Sequence, residues 1–193
     1  FKNLRYHCNE TNVGAEGNIH KAIQGSRGEY VIVAGDDDYL LDGALRVVLD
    51  NIRKYRGAAL FHLRRENVPR HVHEDSGIVP YIAYVGYHMT WIGGVVFRRE
   101  LYPLIEKPQK YDYTGIPQVY LQLEALRKNP TFVILYGMFL TEGTGERTPS
   151  GFNFAETFIG RYLDILMEMP EIPAYLLSDE KKRLMDELIY DCL

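Results

Sequence analysis

The stretch Glu29-Tyr30-Val31-Ile32-Val33-Ala34-Gly35-Asp36-Asp37-Asp38 constrains this chain more than any other. A run of apolar, mostly β-branched side chains ends in three adjacent carboxylates. Tyr30 to Ala34 is continuously apolar instead of alternating, the pattern of a parallel strand covered on both faces. Gly35 lets the backbone turn, or approach a ligand, where the strand leaves the sheet. The acids are therefore expected at the carboxyl end of a central strand, where open α/β sheets bind their ligands. Extended backbone would send Asp36 and Asp38 to one side and Asp37 to the other. Neighbouring carboxylates repel one another, more strongly as water is removed. A divalent cation relieves that repulsion. Mg²⁺ or Mn²⁺ accepts one or two carboxylates and keeps positions open for phosphate oxygens. Taken alone, an Asp-Asp-Asp run is more often a solvated turn, so the surrounding sequence has to decide.

Upstream, Leu4 to Cys8 reads as a short strand and Glu10 to Gly14 as a turn. A helix from Ala15 carries Ile19, Ala22 and Ile23 at helical spacing and stops at Gly25-Ser26-Arg27-Gly28. Strand, helix, strand is the grammar of a parallel sheet. Downstream, Asp42 suits an N-cap, and Leu45, Val48, Leu49 and Ile52 form an amphipathic stripe as far as Tyr55. Ala58 to Leu63 reads as a strand and Arg64 to Gly77 as a polar surface loop. Thr90 to Phe97 reads as a strand with a close-approach pair, Gly93-Gly94. A short helix over Arg99 to Ile105 tolerates Pro103 only in its first turn. Lys107 to Gly115 reads as loop, Pro117 to Arg127 as a helix, and Thr131 to Leu140 as a strand. Thr141 to Gly151 is rich in glycine, as a lid that orders over bound donor would be. Helices over Phe154 to Met169 and Ser178 to Cys192 close the chain, the second facing inward through Leu184, Leu188 and Ile189.

Composition matters mainly for what it excludes. A formal net charge of -4 leaves no basic footprint for nucleic acid. The two cysteines, Cys8 and Cys192, have no metal-like spacing and suit a reducing compartment. No apolar run approaches membrane-spanning length, and a cytoplasmic setting is expected.

Asn12-Val13-Gly14, Asn18, Ala22, Gly28-Glu29-Tyr30-Val31 and the acid triplet, in this order and spacing, resemble family-2 glycosyltransferases of the GT-A fold. Trp91 to Glu100 looks like that family's glycine-bearing acceptor-side strand and the helix start after it. The resemblance covers about Leu4 to Glu100 and is weak beyond. It implies an α/β, GT-A-like (Rossmann-like) fold, a mixed and mainly parallel sheet flanked by helices. Residues 1–150 would form this domain, and 151–193 a helical extension packed on it. It also implies metal-assisted transfer of a sugar from a nucleoside-diphosphate donor to a hydroxyl of a glycan or lipid-linked acceptor, usually with inversion. Polysaccharide biosynthesis and peripheral association with the inner face of the plasma membrane come from the same resemblance.

Carried over by position, Asp38 and Asp36 are the metal ligands for Mn²⁺ or Mg²⁺. Asn12, Asn18, Asp36 and Asp37 line the donor, and either asparagine serves equally well as a structural turn or helix residue. Inversion needs a general base. The family's Glu-Asp pair ahead of the helix at Pro117 is missing here, and Asp112 is the nearest acid, although a plain loop acid fits it too. His71-Val72-His73-Glu74-Asp75 reads as a solvated tract before it reads as a metal site, and His88 as a packing residue before an acceptor contact. Two competing classes remain: a nucleotide-sugar binder without catalysis, and a cation-binding module that docks through the acidic loop and terminal helices. The resemblance further implies a strand, helix and strand ahead of Leu4. The domain is then expected to be N-terminally incomplete, weak toward donor, and inclined to form a homo-oligomer that covers its open edge.

Overall fold

The computed structural model describes residues 3–142 and 153–189. In chain order its elements are α1 (Gly14–Gly25), β1 (Tyr30–Ile32), β2 (Asp38–Leu40), α2 (Ala44–Lys54), β3 (Leu60–Arg65), β4 (His71–Ser76) and α3 (Ile78–Val85). There follow β5 (Val95–Arg98), α4 (Pro117–Lys128), β6 (Thr131–Gly137), β7 (Leu140–Glu142), α5 (Tyr162–Met167) and α6 (Ala174–Arg183). A main sheet has the order β1-β5-β3-β6-β4, and β2 pairs with β7 in a small second sheet. β3 and β6 are parallel, while β5 runs against both β1 and β3, and β4 against β6. β1, β3 and β6 thus share one direction, with β5 and β4 reversed: the mixed α/β sheet expected.

Alternation along the strands separates two apolar layers. Val31, Leu60, Val95, Phe97, Phe132 and Ile134 pack in one layer with α1, α3, α4 and the C-terminal helices. Phe61, Leu63, Val96, Val133 and Leu135 face the other, where Ala44 and Val48 of α2 meet them. This explains the continuous apolar run at the acid strand. Val31 and Val33 join the first layer, Tyr30 and Ile32 the second. Both faces of a two-sided sheet need apolar cover.

The α4 helix is the central support. Every residue from Pro117 to Leu126 is buried, and Pro117 opens it where a missing N–H does no harm. Its polar residues are tied to neighbours. Tyr81 donates to Gln122 Oε1 at 2.6 Å, and Gln122 Nε2 donates to the carbonyl of Met89 at 2.9 Å. The C-terminal helices join the same layer through Tyr162, Ile165, Leu166, Leu176 and Leu184. Tyr162 donates to the fully buried Glu180 at 2.8 Å, and Arg183 pairs with Glu180 at 2.7 Å. Burial pushes the Glu180 carboxyl up. This pair presses on Gly86, where φ is +57° and an added Cβ would lie 2.2 Å from Arg183 Nη1. Only glycine fits there.

Several expectations are corrected. Leu4 to Cys8 joins no sheet, and Leu4 and Tyr6 are exposed. β1 is therefore an edge strand of the described sheet, bonded only to antiparallel β5, and is neither central nor parallel to a neighbour. The polar tract His71–Ser76 is strand, not loop, because Tyr136 and its neighbours in β6 supply a partner, with the His71 and Tyr136 rings stacked at 4.3 Å. Asp42 does not cap α2; Gly43 precedes it in the left-handed region at φ 76° with no side-chain cap. Leu45 and Leu49 stay exposed and, with Tyr30, Ile32 and Leu40, line an open groove of about 360 Å³. The Gly93 strand shortens to β5, its start replaced by a 3₁₀ turn at Ile92–Gly94. Pro103 lies late in a 3₁₀ segment, Arg99–Leu104, and not in a first α-turn. Of the expected lid, residues 143–151 fall outside the described residues, as does Cys192. No helix among the described residues is long and apolar enough to cross a membrane.

Candidate active site

The carboxylates do not continue as extended chain. Gly35 to Asp38 closes a turn in which Asp38 N–H donates to the Gly35 carbonyl at 3.3 Å. Asp38 Oδ2 accepts in return from the Gly35 N–H at 3.1 Å. The expected side-to-side alternation of Asp36, Asp37 and Asp38 is replaced by this turn. Asp36 and Asp37 are exposed at its tip, while Asp38 is partly buried at the start of β2. Asp38 is the acid with a fixed position.

What fixes it from the other side is the glycine pair. A Cβ built on Gly93 would lie 2.3 Å from Asp38 Oδ2 and 3.1 Å from its Cγ. One on Gly94 would meet the Trp91 ring at 2.8 Å. The bare Gly93 backbone thus seats the Asp38 carboxylate, which is the close approach that the pair implies. We expect Gly93→Ala to turn the Asp38 side chain away, breaking its bond to Gly35. Mn²⁺-dependent nucleotide affinity should fall about tenfold, roughly 1.4 kcal/mol, while the melting temperature moves little. Calorimetry on the variant decides this, and unchanged affinity would mean that the seat has no part in binding.

Asn12 and Asn18 are both exposed near the start of α1. Asn12 Oδ1 accepts from Gly14 N–H at 2.9 Å and shapes the turn into the helix. Asn18 Oδ1 accepts from Asn9 at 2.6 Å, and Asn9 Oδ1 from Lys21 at 2.7 Å. Both asparagines currently perform local structural work.

Asp112 begins a 3₁₀ turn, Asp112–Thr114, immediately ahead of α4. Its carboxylate is bonded to His20 Nε2 at 2.8 Å, and the ring's Nδ1 is 2.8 Å from the Tyr102 hydroxyl. His20 is 4% exposed, the Asp112 side chain 31%. From the far side Arg161 donates to the carbonyls of Tyr113 and Thr114, each at 3.1 Å. The turn is thus gripped by α1 and by the C-terminal helical segment. Sequence reading missed His20, Tyr102 and Arg161. The one available signal was a polar residue, His20, three positions before Ile23 on the buried side of α1. Ile19, next to His20, and Ile92, next to Gly93, line one small apolar cavity of about 20 Å³ with Val33 and Gln118.

Other candidates disperse. His73 packs on Tyr84 at 4.2 Å and lies 3.6 Å from Asp75. His88 stacks on Tyr87 at 4.2 Å, and burial, Arg64 and Arg183 push it down to about 3. Among the described residues no three His, Cys, Asp or Glu side chains gather around one metal position. Asp36 and Asp38 offer oxygen donors, the ligand type that a Mg²⁺-like ion takes from one or two protein carboxylates while water and phosphate fill its shell.

The sequence model of the family described as glycosyl transferase family 2 matches residues 1–92. Among solved structures, the chain is similar to S. aureus TarS 1–349 in complex with UDP-GlcNAc, with TM-score 0.54 and 12% identity. That match covers 86% of this chain and 51% of the TarS chain, so the chain spans about half the length of this relative. The likeness is one of fold: a GT-A-type mixed sheet flanked by helices. The search of curated proteins returned no match.

Proposed function

We propose, from the match of residues 1–92 to the glycosyl transferase family 2 model, a protein that moves a sugar from a nucleoside-diphosphate donor to an acceptor hydroxyl. The observation that carries this reading is the seat of Asp38. A carboxylate is held at the start of β2 by Gly35 on one side and by the bare backbone of Gly93 on the other. A seated acid beside two exposed ones suits a pyrophosphate-bound cation better than it suits a solvated turn.

In this reading Asp38, with Asp36, holds Mn²⁺ or Mg²⁺, and Asp37 and the Asn12–Asn18 face border the donor. The cation supplies stabilisation of the negative charge that grows on the pyrophosphate as it departs. Asp112 is the general base. It takes the proton from the acceptor hydroxyl as that oxygen attacks the anomeric carbon and the bond to phosphate breaks, which inverts the configuration. UDP-GlcNAc is the first donor to test, because the TarS structure holds it. A glycan or lipid-linked acceptor and a cytoplasmic setting at a membrane surface belong to the same reading.

A second reading, donor binding without turnover, is favoured by one specific feature: Ile116-Pro117-Gln118 stands where the family's acidic pair is expected. Thermal shift with UDP-GlcNAc and other nucleoside-diphosphate sugars, with and without Mn²⁺, tests both. Metal-dependent stabilisation together with release of nucleoside diphosphate supports transfer. Stabilisation without release supports the binder. No response to any donor in the presence of metal removes both readings.

A further inference from the structure

We propose that His20 is a positioning residue that holds Asp112 as an oriented carboxylate; this rests on the reading of Asp112 as the base. The argument begins with protons. A neutral imidazole has one N–H and one lone pair, and a carboxylate can only accept. Nε2, 2.8 Å from Asp112 Oδ1, must therefore carry the proton. In the neutral ring Nδ1 is then an acceptor, and the Tyr102 hydroxyl at 2.8 Å donates to it. Gln24 Nε2 donates to the Tyr102 oxygen at 3.4 Å. The chain Gln24 to Tyr102 to His20 to Asp112 has one direction and no reversed bond.

Burial gives this chain its force. His20 is 4% exposed, so the ring cannot exchange its partners for water without opening the packing between α1 and the Arg99–Leu104 segment. The Asp112 side chain, by contrast, is 31% exposed. One carboxylate oxygen is taken by a ring fixed in the interior, and the other is left to meet a ligand. A single charge-assisted bond from a rigid donor sets the angle of the carboxylate. The pair joins residues 92 apart in sequence, on the donor-side helix and on the turn before α4. It therefore sets where the base stands relative to the Asn12–Asn18 end of α1. When Asp112 accepts the acceptor's proton, the bond from His20 passes from charge-assisted to neutral, and no further proton needs to move.

A packing role alone predicts loss of stability with nothing else changed, so the tests read other quantities. Long-range ¹⁵N spectra of the full chain should show His20 as the Nε2–H tautomer. Asp112→Asn should perturb that signature. Tyr102→Phe, which removes the donor to Nδ1, should leave the proton on Nε2, held there by Asp112, and move only the Nδ1 resonance. In UDP release from UDP-GlcNAc with Mn²⁺, His20→Ala should lower kcat more than about tenfold, part of the ~10²- to 10⁴-fold that a positioned base supplies. KM for the donor should stay within about twofold, because only transition-state contacts are lost. His20→Gln, whose side-chain N–H can still reach Asp112, should recover much of the rate, and His20→Leu should not. An Nδ1–H tautomer in the unmodified protein, or equal kcat in His20→Ala and wild type, overturns the proposal. If the tautomer results hold and no donor turns over, the reading of the fold as an enzyme fails while the oriented pair stands.

Discussion

Asp38→Asn is expected to lower Mn²⁺-dependent affinity for a nucleoside diphosphate by roughly 100-fold, about 2.8 kcal/mol, whereas Asp37→Asn should change it little. The asymmetry is structural. Asp38 is partly buried and seated between Gly35 N–H and the Gly93 backbone, while Asp37 lies exposed on the turn. A ligand whose carboxylate is already oriented loses little freedom when the ion binds, and preorganisation of this kind is worth affinity. The substitution keeps shape and removes charge, so the fold should persist. Calorimetry with Mn²⁺ and UDP on both variants gives the answer. If the Asp37 variant fails to bind and the Asp38 variant binds normally, the metal ligand has been misassigned. If both bind normally, the triplet is a turn and no more.

The second large effect is loss of stability in mild acid. His62 is fully buried and held well below the ordinary histidine range, chiefly by desolvation, with His88 and Arg64 adding repulsion. His88 is pushed down to about 3, again by burial first and then by Arg64 and Arg183. Both folded values lie below the unfolded value of about 6.5. Between those limits the unfolded chain binds protons that the folded chain refuses, so stability is full above about pH 6.5 and falls as the pH drops toward 3. At 1.36 kcal/mol per unit, His88 alone amounts to a few kcal/mol, a large part of the ~5–15 kcal/mol that a domain has in total. Glu180 acts in the opposite sense. Its raised folded value adds stability that is present below the ordinary carboxylate value and lost as the pH rises through the folded one. The histidine effect is therefore isolated by comparing the wild type with a His88 variant from about pH 6.5 downward. Urea midpoints across that range should fall steeply for the wild type and less steeply for His88→Gln. Superimposable pH profiles would show that His88 can charge without disturbing the fold.

Local patterns made much of this architecture legible. The helices at Gly14–Gly25, Ala44–Lys54 and Pro117–Lys128 follow from apolar spacing and from Gly and Pro punctuation, all of which act within a few residues. The acid-tipped strand follows from the apolar run Tyr30 to Val33, which two layers later cover. The Gly93-Gly94 pair read as a close approach for the same local reason: no side chain is there to prevent one. Harder to read was β4, whose exposed, histidine-rich sequence resembles a loop until a neighbouring strand offers hydrogen bonds. Leu45 and Leu49 misled in the opposite sense, since their perfect helical stripe points partly into an open groove.

What the sequence by itself determined is the placement of most helices, the carboxylate cluster that follows the β1 segment, and the match of residues 1–92 to the glycosyl transferase family 2 model. Those depend on interactions between near neighbours, so a short window contains them. Tertiary structure alone decided which acid is seated and what holds the candidate base. Gly93 meets Asp38 across a separation of 55, and His20 meets Asp112 across one of 92. Such pairs leave no periodic trace, because each partner satisfies the rules of its own segment whether or not the other is present. Only the packing of α1 against the turn before α4 brings His20 and Asp112 within 2.8 Å of each other, with the ring out of water, where a single bond can fix a side chain.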